Sequence, residues 1–568
     1  MKNATNNSRL EEFQYHLGVM CYQGQGVDQS YEQALHWFTE AANQEHAEAQ
    51  YHLALMYDQG QGTNQSYEQA FHWYNKSANH GYAAAQFNLG VMCYQGQGVD
   101  QSYEQAFHWY TEAANQRHAL AQSHLALMYD QGLGVDQSDV KALHWFTEAA
   151  NQRHALAQYN LGVMYDQGQG TNQSDEQAFH WFTEAANQEH AEAQFNLGVM
   201  YDQGQWVDQS YEQAFHWFTE AANQEHAEAQ FNLGGMCDQG QGVGQSDEQA
   251  FHWYTEAANQ EHAEAQYHLA LMYHQGQGVD QSDEQAFHWF KESANQEHAI
   301  AQYHLALMYN QGRGTNQSYE QAFHWYNKSA NHGYAAAQYN LGVMYHQGQW
   351  VDQSDEQAFF WYNESANQEY VEAQFNLGAM YKNGERVDQS DEQAFHWFTE
   401  AANQEHAEAQ YNLGVMYDQG QGTNQSYEQA FHWYNKSANQ EHAEAQYHLA
   451  LMYDQGRGVD QSDEQAFHWF KESANQEHAE AQYHLALMYH QGQGVDQSDE
   501  QAFHWFKESA NQEHAIAQYN LGVMYDQGQG VDQSDEQAFH WYNKSANHGC
   551  AEAQYSLGVM YHNGQGVD

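Results

Sequence analysis

The strongest constraint on this chain is an unbroken interval of 36 residues. Leu161-Gly162-Val163-Met164-Tyr165-Asp166-Gln167-Gly168-Gln169-Gly170 is one of sixteen near-copies. The glycine in its eighth place recurs at Gly24, Gly60, Gly96 and Gly132, then in steps of 36 to Gly564, with no insertion or deletion. A self-similar period of that length marks a solenoid, in which each unit is too small to bury its own apolar face and leans on its neighbours. The 568 residues therefore read as one array: a polar N-terminal tail at 1–10, fifteen tandem repeats over 11–550, and a half repeat at 551–568 that covers the last hairpin as a terminal lid.

Within one copy the hydrophobic spacing is helical. Ala157, Leu161, Gly162, Met164 and Tyr165 form one stripe, and Ala178, Trp181, Phe182, Ala185 and Ala186 form a second. Gly168 should end the first helix by adopting the left-handed conformation. Ser174 should cap the second, with Gln177 completing a capping box. Asp175 and Glu176 suit the positive end of the helix dipole, and Asn187 is the expected left-handed stop. The unit reads as an antiparallel helical hairpin, with Leu161, Met164 and Trp181 filling the space between hairpins.

The pattern A-x-A-Q-Y-x-L-G-x-M-Y-x-x-G-x-G-V, followed by A-x-x-W-x-x-x-A-A, resembles the Sel-one-like repeat (SLR), a relative of the tetratricopeptide repeat. Ala191 to Gly204 carry it, with Ala214, Trp217, Ala221 and Ala222. The resemblance implies an all-α fold, a right-handed α/α superhelical solenoid, acting as a scaffold or adaptor for other proteins. Three departures stand out: Ser174 replaces the family's usual Asp, Glu189 and Glu225 replace a frequent Gly kept at Gly81, Gly333 and Gly549, and proline is absent.

Charge narrows the partners. With 75 acidic and 16 basic residues the formal charge is −59, which disfavours nucleic acid and anionic membranes and favours basic or extended protein segments. No apolar run is long enough to span a bilayer. The opening MKNATNNSRL lacks the apolar stretch of a signal peptide, so a cytoplasmic address is expected, with leaderless secretion as the alternative. Cys21, Cys93 and Cys237 stand whole repeats apart, and units stack about 10 Å apart. Disulfides need Cα atoms within about 7 Å, so free thiols are expected.

The 39 histidines fall on five phases of the repeat; fourteen precede the tryptophan, as His36, His72 and His180 do, and eleven close a unit, as His46 and His154 do. A ladder with rungs about 10 Å apart does not converge on an ion held at about 2 Å, so neither a metal nor a cofactor is expected. Protonating all 39 would move the formal charge from −59 to −20, which predicts assembly or partner binding that changes between about pH 7.5 and 5.5.

Enzyme motifs are isolated. Ser138-Asp139-Val140-Lys141 spells S-x-x-K, the nucleophile motif of penicillin-recognising hydrolases, without the accompanying S-D-N or K-T-G. Ser138 also holds the capping place of every equivalent serine. Near-identical units multiply the same groups along an array rather than gathering different ones at one point, so catalysis is not expected.

What varies between copies marks the candidate partner-binding residues. The second residue of the first helix is Glu48, Leu120, Leu156, Ile300 or Ile516 in different copies. Trp206 and Trp350 replace the second loop glycine, placing large aromatics on an exposed turn. Phe360 interrupts a histidine series, and Lys382 and Arg386 bring two bases into an acidic field, so the region of about 335–406 reads as a specificity patch. The function expected is a non-enzymatic scaffold whose first helices line a groove for partner segments. The alternatives are a secreted effector that binds a host protein and a penicillin-binding hydrolase built on Ser138.

Overall fold

The computed structural model describes residues 2–385 and 387–566, and every regular element among them is an α-helix, from α1 (Lys2–Gln23) to α31 (Ala551–Asn563). The chain forms two compact units, Met1–Ser293 and Ala294–Asp568. Each is an all-α solenoid of 36-residue hairpins.

In the first unit, α9 (Ala155–Gln167) and α10 (Asp175–Ala186) form one hairpin. Ala178, Phe182, Ala185 and Ala186 of α10 pack with Tyr159, Val163 and Tyr165 of α9, while Leu161 and Met164 are buried with Phe146, Ala149 and Ala150 of the preceding repeat. Gly162 lets the helices close: a Cβ there would lie 2.7 Å from the Phe182 ring. Gly168 does end α9 in the left-handed conformation, with φ 70°, and its N–H reaches the Met164 carbonyl.

The Ser174 hydroxyl accepts the Gln177 N–H at 3.3 Å. The reciprocal half of the box is absent, because the Ser174 N–H already donates to the Tyr165 carbonyl at 2.9 Å. That bond ties the loop back to α9, which a purely local capping pattern does not foresee.

Three expectations need correction. Asn187 is right-handed, with φ −66°; the left-handed residue is Glu189, with φ 62°. Glu225, Arg117 and Arg153 adopt the same conformation that Gly81, Gly333 and Gly549 adopt elsewhere. The His190 N–H donates to the Ala185 carbonyl across this turn, so the turn is closed by the chain on both sides and holds a conformation unfavourable to a side chain.

Trp181 is half-buried, and Phe182 is the ring that fills the hairpin. Tryptophan becomes buried only where a lysine one turn on lies over it, as in Trp325 beneath Lys328 at 4.5 Å in the second unit. The third correction concerns the N-terminus: α1 begins at Lys2, so the polar segment read as a tail continues the first helix. At the other end, α31 packs against α30 (Asp535–Asn547).

A buried glutamine stitches hairpins together. Gln194, on α11 (Ala191–Gln203), donates from Nε2 to the Ala186 carbonyl at 3.2 Å and accepts the Gln224 amide at 2.7 Å. It thus gives a second partner to a carbonyl at the end of one helix, which also accepts the Glu189 N–H, and fixes the turn one repeat on. Gln194→Ala is expected to cost about 1 kcal/mol, because it removes two hydrogen bonds while the Ala186 carbonyl keeps the Glu189 N–H and the Gln224 amide keeps the Glu220 carbonyl. Urea denaturation of the purified chain measures it.

Candidate protein-interaction surface

The residues that vary between copies are mostly outward. Leu120, on α7 (Ala119–Gln131), Leu156, on α9, and Ile516, on α29 (Ala515–Gln527), are exposed. Ile300, on α17 (Ala299–Gln311), is half-buried. Glu48, on α3 (Ala47–Gln59), is half-buried beside Tyr15. Burial first, and the Glu48 carboxylate second, push the Tyr15 phenol up to about 12.

Those first helices share an N-terminal arrangement that spacing alone did not foresee. In eleven copies the histidine closing the unit turns its ring onto the next helix as an N-cap: His118 Nδ1 accepts the Ala121 N–H at 3.2 Å, and His154 Nδ1 accepts the Ala157 N–H at 3.2 Å. The ring stacks on an aromatic of the preceding first helix, as Phe195 on His226 at 4.7 Å. In several copies Nε2 faces a glutamate, as His262 faces Glu228 at 3.1 Å. Burial holds the pKa of His118, His154, His190 and His226 below the usual imidazole value. A fixed histidine immediately before an alanine-rich helix was the available signal, although histidine is not among the usual N-cap residues.

Trp206 and Trp350 are the most distinctive candidates. They are 58% and 59% exposed, and both are left-handed, with φ 65° and 66°. At this place other copies have glycine pressed against the backbone of the preceding repeat: a Cβ on Gly170 would sit 2.6 Å from the Asp139 carbonyl carbon, and one on Gly242 would sit 2.2 Å from the Tyr211 oxygen. Tryptophan is therefore costly here on conformational grounds and gains little from burial. Trp206→Gly is expected to raise stability by about 1 kcal/mol, the left-handed cost less the greater freedom of glycine in the unfolded chain. A thermal melt reads the shift; a loss of stability would mean that the indole packs on the fold.

The remaining candidates divide. Phe360, on α20 (Asp355–Ala366), is 49% exposed and lies edge-on to Trp361. Lys382, on α21 (Val371–Asn383), is not a free cation: its Nζ donates to Asn412 Oδ1 at 3.2 Å, it is half-buried, and burial lowers its pKa. It joins consecutive repeats through that bond. Arg386 lies outside the described residues. It occupies the loop place of Trp206 and Trp350, so three copies replace the same glycine.

Ser138 is an N-cap, accepting the Lys141 N–H at 3.4 Å, while the Lys141 ammonium lies over the Tyr129 ring. Among the described residues no three His, Cys, Asp or Glu side chains converge as metal ligands, and no helix is long and apolar enough to cross a membrane. Cys21, Cys93 and Cys237 are buried free thiols, and burial pushes Cys93 up to about 11.

The Sel1 repeat model matches sixteen consecutive segments, from 12–46 through 551–568. No curated protein matches the chain. Among solved structures, a protective antigen of uropathogenic Escherichia coli with an SLR fold is 31% identical, covers 80% of this chain and 97% of its own, and superposes with a TM-score of 0.69. A Sel1 repeat protein from Oxalobacter formigenes is 30% identical over 55% of this chain and 90% of its own, with a TM-score of 0.45. With the hairpin, its register and the repeat model in agreement along the whole array, the chain belongs to the Sel1 repeat family.

Proposed function

We propose that this protein is a non-enzymatic scaffold that binds basic or extended segments of other proteins on an acidic repeat surface. The observation that carries the reading is the pair Trp206 and Trp350: each is a large exposed aromatic held where the backbone favours glycine. Strain of that kind persists where function requires it, and exposed tryptophan is a favoured interface anchor. The formal charge of −59 supports partners of opposite sign, drawn in by a long-range field. Leu120, Leu156 and Ile516 supply apolar contacts among the glutamates of the first helices.

The test is affinity capture from an extract of the source cells, comparing the native chain with Trp206→Gly/Trp350→Gly. Glycine at both places preserves the fold, so lost capture reports on the indoles themselves. The expected result is reduced recovery of the same proteins, with binding that weakens as salt rises. Recovery unchanged in identity and amount would remove both anchors.

A further inference from the structure

One repeat has a hole in it. The residue after the helix-facing Gly or Ala of each first helix is Val or Leu throughout, as in Leu127, Val163, Val199, Leu271 and Val523, except at Ala379 and Gly235. Gly235 follows Gly234 in α13 (Ala227–Gln239). The two glycines have different reasons to be there. A Cβ on Gly234 would lie 2.6 Å from the Tyr254 ring, so the close approach of α14 (Asp247–Asn259) requires it. A Cβ on Gly235 would meet only the Tyr254 hydroxyl, at 3.8 Å. Packing does not ask for glycine there, and glycine in a helix interior costs about 1 kcal/mol.

What the missing side chain leaves is a cavity of about 340 Å³. The same crevice between consecutive first helices holds about 200 Å³ at Leu127 and about 60 Å³ at Val523. Phe218, Phe231 and Tyr254 give the Gly235 cavity aromatic walls, and Asp202 brings a carboxylate to it. Asp238 and Glu264 both act electrostatically on Tyr254. No lysine or arginine lines it. Burial raises the pKa of Asp202, so this carboxylate gains from a cation beside it. Trp206 stands three residues beyond Gln203, another lining residue.

From these observations we infer that the cavity at Gly235 is a socket for one arginine or lysine side chain of a partner's extended segment, its stem against the aromatic rings and its charged head toward Asp202. Aromatic faces attract a guanidinium or ammonium through the ring quadrupole. A space at the small end of the range for ligand pockets suits one long side chain. The inference rests on the scaffold reading and supplies it with a specific contact.

The test uses the full-length protein and ligand-observed NMR. The probes are N-acetyl-arginine amide, a heptapeptide with one central arginine among Gly, Ser and Ala, and the same peptide with citrulline, which keeps the shape and removes the charge. The arginine peptide is expected to bind at least about tenfold tighter than the citrulline peptide and than the free amide. Gly235→Leu, which installs the residue found at position 127, should weaken it by about tenfold or more while raising the melting temperature. Asp202→Asn should weaken it severalfold.

No binding of the arginine peptide, equal affinity for citrulline, or unchanged affinity in Gly235→Leu would each overturn the socket. Equal affinity for the free amide would assign the cavity to a small organic cation and overturn the partner segment. Because the probes are defined peptides, failure here leaves the capture experiment on Trp206 and Trp350 free to succeed, and the reverse.

Discussion

Lowering the pH from about 7.5 to 5.5 is expected to lower the melting temperature by more than about 10 °C. Eleven first helices, from the one opened by His46 to the one opened by His514, use imidazole Nδ1 as the acceptor for a backbone N–H. A protonated ring has no acceptor, so each cap becomes a donor facing a donor, with a cation added at the positive end of a helix dipole.

Burial depresses the pKa of His118, His154, His190, His226, His406 and His478, and does the same to His52, His124, His448 and His484, which lie against aromatic rings within the array. With folded values below the unfolded value of about 6.5, the unfolded chain binds more protons across the interval between them. Stability is then complete above about pH 6.5, falls as pH drops toward the folded values, and levels off beneath them.

Nearby carboxylates oppose the effect: Glu192, Glu228, Glu372, Glu408, Glu444 and Glu480 favour the protonated rings, but each ranks behind burial at the depressed histidines of the unit ends. Asp58, Asp130, Asp166 and Asp526, whose pKa values burial raises, gain stability on acidification, starting from an ordinary value of 3.8 and therefore mainly at lower pH. A cap is worth about 1 kcal/mol, and contributions along a repeat array sum with nearest-neighbour terms. Circular-dichroism melts at several pH values measure the slope. Asparagine caps without titrating, so the quadruple change His118→Asn, His154→Asn, His190→Asn and His226→Asn should flatten it. An unchanged slope in that variant would put the titration elsewhere.

The second large effect is steric. Gly162→Val is expected to destabilise by about 3 kcal/mol, as overpacking of a closed core does. A Cβ at this place meets the Phe182 ring at 2.7 Å, and the ring is buried on its other sides. Alanine is the informative control. Ala54, Ala126, Ala270, Ala306, Ala450 and Ala486 occupy the same place and are fully buried, so the repeat accommodates one methyl there. Gly162→Ala should therefore cost no more than about 1 kcal/mol, helped by its higher helix propensity. Added to the Gly162→Val chain, Phe182→Leu should recover at least about 1 kcal/mol, a coupling that distant sites do not show. Denaturant titration of the native chain, the two single variants and the double variant closes the cycle; additive losses would mean that the glycine serves something other than the ring.

The sequence by itself determined the repeat length, the helical hairpin, the buried places of Leu161, Met164 and Phe182, and the stop at Gly168. These follow from periodicity and from capping chemistry that acts within a few residues, so a linear reading contains them. Tertiary structure alone decided the rest. Glu189 is left-handed because the chain on both sides of it is hydrogen-bonded across the turn. Gln194 bridges partners on either side of it, one of them 30 residues away. Lys382 is drawn inward by an asparagine on the next repeat. The space at Gly235 exists because three consecutive repeats surround it. Each outcome depends on what the stacking of hairpins brings alongside, and stacking is set by close packing between residues remote in the chain, which local spacing does not encode.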